Sequence, residues 1–369
     1  MTQTGWMDVG GWAERRFEPV RESFARVLAA QAGTGAAAVA AWWDGVWVVD
    51  LWGGRANAAG TRLWQPDSLV QPYSVAKPFV AVCALLLADR GRLELDAPVR
   101  RYWPQFRARA SVRHLLSHQA GVVALDEPTP TEAFYDWDWL CALLAAQEPA
   151  WEPGTAHGES ALFYGHLVGE LVRRVDGRGL GRFLREEVCG PLGLDFFFGL
   201  TAAEQARAVD LTGVDEYWRQ KAAEMPALYL RAVTNPPGAF DPAVVNSAAW
   251  RAAEVPAING HGTARGTAGL YAALLQGKLL SPALLAEATA AQCTGVDAVF
   301  GQDNAWGLGF GVDADGFGMG GSGGSYAGAS TAGGYAFSFV TPTMGSHARA
   351  TSVENAFRVC LGLPPLDDY

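Results

Sequence analysis

The pattern of apolar and polar positions divides the chain into three parts, with strands at both ends and helices in the middle. Near the start, apolar residues recur between charged ones at helical spacing. They predict an amphipathic first helix, formed around Phe17, Val20, Phe24, Val27 and Leu28.

A β-hairpin is predicted directly after this helix. The segment from Ala37 to Asp50 is rich in Val and Trp, and it is interrupted by Asp44-Gly45, a dipeptide typical of hairpin turns. The second strand of this hairpin is expected over Val46 to Trp52, where two glycines end it.

The middle of the chain, from about residue 75 to 265, reads as mostly helical, with long Pro-bearing loops. Residues 79–88 are uniformly apolar and suit a buried helix. The predicted helices cover residues 79–88, 112–117, 134–146, 162–175 and 180–188.

The last hundred residues change character. The glycine-rich segment Gly307 to Gly328 contains interleaved apolar and aromatic residues, which favours tightly packed strands and turns over a flexible linker. Tyr335 to Val340 predicts a strand, and Ser352 to Leu361 predicts a closing helix.

Strands at both ends and helices between them indicate an α/β (α+β) fold in which both termini build one domain. The expected division places residues 1–72 and 266–369 in a discontinuous α/β domain. Residues 73–265 form a mostly helical insertion, with the active site at the interface.

Composition excludes several classes of function. Half of the 369 residues are hydrophobic, 18% are charged, and the net charge is −10 without a Lys/Arg cluster, so nucleic-acid binding is not expected. The five cysteines are scattered and form no Cys-x-x-Cys motif, so neither a zinc site nor a disulfide framework is suggested. No signal-like segment and no apolar run long enough for a membrane is present, so a cytoplasmic protein is expected.

The first chemical signal is Ser74 with Lys77 at the start of the apolar helix. Residues three apart lie on one face of a helix, about 5–6 Å apart at Cβ. A lysine with a lowered pKa could take the proton of the serine hydroxyl, and the first N–H groups of the helix could hold an oxyanion. A Ser N-cap followed by a solvated Lys is the simpler alternative, because the spacing alone is weak.

Several further stretches resemble motifs of serine β-lactamase-related proteins. The resemblance runs from about residue 36 to the end, and the motifs are specific in combination. They are D-x-P-V at 96–99, R-H-L-L-S-H-x-x-G at 113–121, W-x-P-G-T at 151–155, the block from 167 to 194, and the segments 259–264 and 306–310.

This resemblance is strongest to class C-like carboxylesterases and acyltransferases. It implies a β-lactamase/transpeptidase-like fold, an antiparallel sheet flanked by helices, and Ser74 as nucleophile with Lys77 as its base. Such families also use a tyrosine from a helical-domain loop and a strand motif with Lys or His, and this chain departs from both.

The family tyrosine follows the W-x-P-G-T motif, and alignment there places Glu159 at its position. A glutamate beside Lys77 would form an ion pair, raise the lysine pKa and become a candidate base or proton relay. A surface carboxylate is the alternative for Glu159. Tyr164, five residues on, is either a packing aromatic or the substitute for the missing tyrosine.

The strand motif of the family corresponds to residues 317–325, where Met319 replaces the usual Lys or His. A thioether can neither hold a substrate carboxylate nor tune a base. The resemblance implies that the backbone N–H of Ser322 pairs with that of Ser74 at the oxyanion, and that Gly320 and Gly321 let a substrate approach the strand closely.

Other aromatic and histidine residues leave alternatives open. Trp250 and Trp306 are candidates for lining an apolar acyl pocket, although most of the tryptophans are expected to pack in the core. His114, His118 and His261 suggest a metal, but no carboxylate shares their spacing, so structural histidines are expected and no cofactor is implied.

The predicted function is acyl transfer through a Ser74 acyl-enzyme, with an ester or thioester as donor. The acceptor is water in an esterase, or an alcohol or amine in a transacylase of small-molecule (for example antibiotic) biosynthesis. Partners are therefore small molecules, with no nucleic acid or membrane expected. A catalytically altered protein that only binds a ligand is the alternative, favoured by the changes at 159 and 319.

Overall fold

The computed structural model describes residues 9–31, 35–214, 220 and 223–367. A nine-stranded antiparallel sheet forms its centre, in the order β1-β3-β2-β12-β11-β10-β9-β8-β7. The strands are β1 (Gly10–Ala13), β2 (Ala37–Trp43), β3 (Val46–Gly53), β4 (Phe196–Phe197), β5 (Gly213–Val214), β6 (His261–Gly262), β7 (Cys293–Val296), β8 (Asp303–Trp306), β9 (Gly311–Val312), β10 (Gly316–Gly321), β11 (Ser325–Ser330), β12 (Tyr335–Val340) and β13 (Thr343–Met344).

The helices lie around this sheet and fill most of the middle of the chain. They are α1 (Glu18–Ala29), α2 (Lys77–Asp89), α3 (Val112–Leu116), α4 (Trp137–Ala146), α5 (Tyr164–Asp176), α6 (Leu180–Leu184), α7 (Gly190–Leu192), α8 (Ala202–Gln205), α9 (Ala227–Thr234), α10 (Pro242–Val245), α11 (Ala248–Ala252), α12 (Ala264–Leu275), α13 (Pro282–Ala288) and α14 (Ala348–Leu361).

The two ends of the chain meet in the sheet through one strand pair. β12 pairs with β2 in antiparallel register, from Tyr335 opposite Trp43 to Val340 opposite Ala38. The predicted hairpin is present as β2 and β3, and Asp44 and Gly45 both have positive φ values, of 49° and 87°. That pair of left-handed residues matches the right-handed twist of the strands, as two-residue hairpin turns require.

Two layers of helices bury the two faces of the sheet. On one face, α1 and α14 pack on large side chains that include Phe337 and Phe339. On the other face, α2 and α12 pack on small residues such as Ala327 and Ala336. Because side chains alternate along a strand, the small residues let these helices come close to the sheet. The expected antiparallel sheet flanked by helices is therefore confirmed.

Most helix predictions are confirmed, and their ends differ for local reasons. The helix expected over 134–146 begins at Trp137, because the Asp136 side chain caps it and a short 3₁₀ turn precedes it. The helix expected over 180–188 changes to a π-helical turn at Arg185–Cys189. The closing helix begins at Ala348, four residues earlier than expected. The division into two domains stays a prediction.

Candidate active site

Ser74 lies in a short 3₁₀ turn, Tyr73–Ala76, that leads into α2. Tyr73, directly before it, has φ of 51°, an unusual value for a bulky side chain. The Tyr73 ring is buried and stacks on Phe240 at 5.3 Å between centroids, and its hydroxyl donates to the Ala239 carbonyl at 3.2 Å. Packing therefore holds a strained residue that fixes where the Ser74 side chain points.

Lys77 is the first residue of α2, and its side chain is completely buried. Its Nζ lies 2.6 Å from Ser74 Oγ, 2.7 Å from Glu159 Oε1 and 3.0 Å from the Ala161 carbonyl oxygen. The Ala257 carbonyl oxygen is a fourth acceptor at 3.4 Å, so all three N–H donors of an ammonium group find partners here. The site thus holds Lys77 Nζ in a defined position between Ser74 and Glu159.

Glu159 brings its carboxylate to both of the other residues. Oε1 accepts from Ser74 Oγ at 3.2 Å as well as from Lys77, and the Glu159 side chain is only 10% exposed. The surface alternative for Glu159 is therefore wrong in this structure. The carboxylate is placed to receive the proton of the Ser74 hydroxyl, and its catalytic role stays a proposal.

Two opposing effects act on the pKa of Lys77. Burial lowers it, and the Glu159 carboxylate raises it through charge and hydrogen bonding. The raising effect expected from the sequence is present, but burial outweighs it, so the pKa of Lys77 lies below its ordinary value. Both Lys77 and Glu159 consequently remain candidates for the base that activates Ser74.

The glycine-rich strand β10 passes directly beside the Ser74 turn. A side chain at Gly321 would collide with the Pro72 carbonyl oxygen, so only glycine allows this approach. Met319 is buried and, two residues earlier, lies on the same face of the strand as Gly321. A buried thioether therefore lies on this face of β10, at the position where the family resemblance leads us to expect Lys or His.

Gly320 and Ser322 flank Gly321, and they differ in how they are placed relative to the site. Gly320 is on the opposite face of β10, where an added Cβ would lie 3.1 Å from His347 Nε2. The expected substrate contact at Gly320 is thus not supported. Ser322 follows the end of β10, and its backbone N–H has no hydrogen-bond acceptor among the described residues. That free donor suits the proposed oxyanion role.

Tyr164 and Trp306 are packing residues around His118. Tyr164 is 1% exposed, its hydroxyl donates to the Leu116 carbonyl at 3.2 Å, and burial raises its pKa. The ring centroids of Tyr164 and Trp306 lie 4.6 and 4.5 Å from that of His118. Neither side chain is hydrogen-bonded to Ser74, Lys77 or Glu159 in the part of the chain described. The structure does not support their expected substrate contacts.

Trp250 does not line an acyl pocket either. Its ring is fully buried, packs edge-on against Phe134 at 5.4 Å, and its N–H donates to Gln71 at 2.8 Å. Trp250 is a core residue of the helical region.

The three histidines considered for a metal have separate structural roles. His114 completes a capping box at α3, His118 Nδ1 accepts from the Ser160 N–H at 3.2 Å, and His261 Nδ1 lies 2.7 Å from the Asn259 carbonyl. Among the described residues, no group of three or more metal-ligating side chains is gathered in one place.

Two residues near Glu159 were missed in the sequence. Asp297 is fully buried and accepts the backbone N–H of Glu159 at 2.9 Å. Tyr229 is also buried, and burial together with the nearby Glu159 charge raises its pKa to about 12. Both come from segments far away in the sequence, so spacing along the chain contained no signal for them.

Residues 21–357 match the family model described as beta-lactamase, and the chain therefore belongs to that family. A crystal structure of a family VIII carboxylesterase has a TM-score of 0.88 at 35% identity, covering 96% of this chain and 100% of that one. The fold is the β-lactamase/transpeptidase-like fold.

Two curated relatives are esterases. The chain is similar to the esterase/beta-lactamase LipL of Mycobacterium tuberculosis, at 33% identity over 291 residues, which are 73% of this chain and 65% of LipL. It is also similar to esterase EstB of Burkholderia gladioli, at 29% identity over 163 residues, or 38% and 41% of the two chains. The chain thus spans less than two thirds of either relative. Together these findings support a serine hydrolase of esterase type.

No helix in the described ranges is long and apolar enough to cross a bilayer.

Proposed function

We propose that this chain is an acyl-transfer enzyme that forms an acyl-enzyme on Ser74 from an uncharged ester or thioester donor. The observation that supports it best is the contact of Ser74 Oγ with both Lys77 Nζ and Glu159 Oε1, at 2.6 and 3.2 Å. A hydroxyl that touches a carboxylate and an amine inside a buried site is the arrangement of an activated nucleophile.

The proposed first step forms the acyl-enzyme. Ser74 Oγ attacks the acyl carbonyl carbon, and its proton passes to Glu159 Oε1 or to a neutral Lys77. The oxygen of the tetrahedral intermediate takes its negative charge between the N–H groups of Ser74 and Ser322. When the bond to the leaving alcohol or thiol breaks, Lys77 or the protonated Glu159 returns a proton to that group.

The second half repeats these steps with another nucleophile. Water gives hydrolysis, and an alcohol or amine gives transfer, with the acceptor proton again moving to the Lys77–Glu159 pair. Both outcomes use the same acyl-enzyme. Transfer in small-molecule biosynthesis is the finer form of this proposal.

The replacement at Met319 supports ester donors over β-lactams. A buried thioether on the face of β10 beside Ser74 offers no charge to a ligand carboxylate. We therefore expect little or no turnover of a chromogenic cephalosporin and measurable turnover of uncharged activated esters.

Intact-mass spectrometry after treatment with a fluorophosphonate tests the proposal. We expect one adduct in the wild type and in Ser160→Ala, which removes a buried serine one residue from Glu159, and none in Ser74→Ala. The same proteins are then tested with a panel of esters, with and without alcohol or amine acceptors. An adduct that persists in Ser74→Ala refutes the nucleophile. Binding without any adduct or turnover would support the ligand-binding alternative.

A further inference from the structure

The segment that carries Glu159 is held between two loops. From one side, the His118 carbonyl accepts from the Gly158 N–H at 3.0 Å, and His118 Nδ1 accepts from the Ser160 N–H at 3.2 Å. From the other side, the Ala298 N–H donates to the His157 carbonyl at 2.9 Å. The N–H of Glu159 itself donates to Asp297 Oδ2 at 2.9 Å.

Asp297 organises the second of these loops around a buried carboxylate. Oδ1 accepts the backbone N–H groups of Val299 and Phe300, both at 2.8 Å, and so closes a tight turn. Oδ2 accepts three donors from other places. They are the Glu159 N–H at 2.9 Å, the Asn304 amide at 3.1 Å and the Trp306 indole at 3.4 Å.

This number of donors has a physical reason. Asp297 is 0% exposed, and a buried carboxylate is costly unless hydrogen bonds replace the water it has lost. Five N–H groups converge on it. The network continues outward, since Asn304 Oδ1 lies 3.0 Å from His157 Nε2, at the start of the same segment.

We propose that Asp297 is a positioning residue for the reaction, fixing the Glu159 carboxylate against Ser74 and Lys77. This inference rests on the proposed role of Glu159. The Glu159 Oε1 atom must reach two partners at once, at 3.2 and 2.7 Å. Backbone movement at Glu159 changes both distances together, and a displacement of about 1 Å can cost on the order of 10²-fold in rate.

The substitution Asp297→Asn keeps one oxygen of the carboxylate and replaces the other by an NH₂ group. The remaining amide oxygen can still accept from Val299 and Phe300 and keep the turn. The new NH₂ group then faces the N–H groups of Glu159, Asn304 and Trp306, which are donors as well. The bond to Glu159 is lost while the size of the side chain is unchanged.

The test is a double-mutant cycle with Asp297→Asn, Glu159→Gln and both together, on one activated ester. We expect Asp297→Asn to lower kcat roughly 10- to 100-fold with KM within about twofold, as for a lost orientation effect. In the Glu159→Gln background the same change should cost less than about twofold, because nothing remains to be positioned.

Two further variants keep the test decisive. Asn304→Ala removes one donor to Asp297 and its link to His157, and should lower kcat by about 3- to 10-fold, again only when Glu159 is present. It serves if Asp297→Asn does not fold. Asp136→Asn is the matched control, since this exposed aspartate also accepts a backbone N–H, from Trp139 at 2.9 Å, and the loss of its charge should leave kcat unchanged.

The outcomes distinguish the inference from the proposed function. Equal losses for Asp297→Asn with and without Glu159 would show a merely structural role and overturn the inference. An unchanged kcat in Glu159→Gln would overturn it too, while Ser74 labelling would still support the acyl-enzyme. A fluorophosphonate adduct that persists in Ser74→Ala would refute the proposed function itself.

Discussion

Each helical layer of the described structure contains a buried cluster of charged and hydroxyl side chains. The first is Ser74, Lys77 and Glu159, beside α2. The second lies between β12 and α14, where the Tyr335 hydroxyl donates to Glu354 at 2.8 Å and Arg358 donates to that hydroxyl at 2.8 Å. Both clusters contain a cation, a carboxylate and a hydroxyl, and both have shifted pKa values.

The two clusters differ in whether hydrogen-bond donors remain unused. Arg358 is fixed by a bidentate contact with Asp315, at 2.8 and 3.0 Å, so its donors are directed into the protein. At the first cluster, the hydroxyl belongs to a strained turn beside the glycine-rich strand β10, and the Ser322 N–H after that strand has no acceptor among the described residues. Burial and charge alone therefore do not define a functional site, and a nucleophile next to unused donors is the better criterion.

The largest expected effect is that of Glu159→Gln. It keeps the shape of the side chain and removes the charge that would receive the Ser74 proton. Loss of a general base costs about 10²–10⁴-fold, so we expect kcat/KM for an activated ester to fall within that range. Glu159→Tyr, which restores the residue type expected from the family, should retain part of the activity.

The matched control is the same substitution in the other cluster. Glu354→Gln should leave kcat/KM within about twofold of wild type if only the first cluster is catalytic. Wild-type kcat/KM in Glu159→Gln would identify Lys77 as the sole base. That outcome is physically coherent, because removing the carboxylate lowers the pKa of Lys77 further.

Glu354→Gln has its own effect, on stability. Burial raises the pKa of Glu354 from 4.5 to about 7, and its Oε2 has no partner among the described residues. The folded protein therefore binds this proton more tightly than the unfolded chain does. The resulting stabilisation is complete below pH 4.5 and is lost as the pH rises to about 7.

At about 1.4 kcal/mol for each unit of pKa, this loss approaches about 3 kcal/mol above neutral pH. The amide in Glu354→Gln does not titrate, so the variant should lack this decline. Denaturant unfolding at pH 5 and at pH 8 gives the free energy of unfolding of both proteins. We expect the difference between Glu354→Gln and wild type to change between these two pH values. An equal difference at both pH values would contradict the raised pKa.

The sequence predicted the parts of the site that are local. Ser74 and Lys77 are three residues apart, and the apolar run after them predicted α2, because a helix buried on all sides needs such a run. The positions of Glu159 and Met319 followed from alignment with family motifs. The hairpin turn at Asp44-Gly45 followed from the rare φ values that these residue types tolerate.

The parts that were not predicted depend on contacts between distant segments. Asp297 reaches Glu159 across 138 positions, and no periodicity along the chain encodes that bond. The edge strand β7 was missed because its sequence, Cys-Thr-Gly-Val, is short and lacks alternation. The sequence does not decide between a catalytic and a packing role for Tyr164, because both roles suit a tyrosine at that position.

The smallest expected effect concerns Tyr164 and decides between those readings. Its hydroxyl is bonded only to the Leu116 carbonyl among the described residues, at 3.2 Å. Tyr164→Phe removes this bond and leaves a buried carbonyl without a partner, so we expect the free energy of unfolding to fall by about 1 kcal/mol, with kcat within about twofold of wild type. Tyr271→Phe is the control, because the Tyr271 hydroxyl is buried without a partner in the described structure, and its removal should be neutral or slightly stabilising. A loss of 10²-fold or more in kcat for Tyr164→Phe, with stability unchanged, would instead place that hydroxyl in the proton transfer.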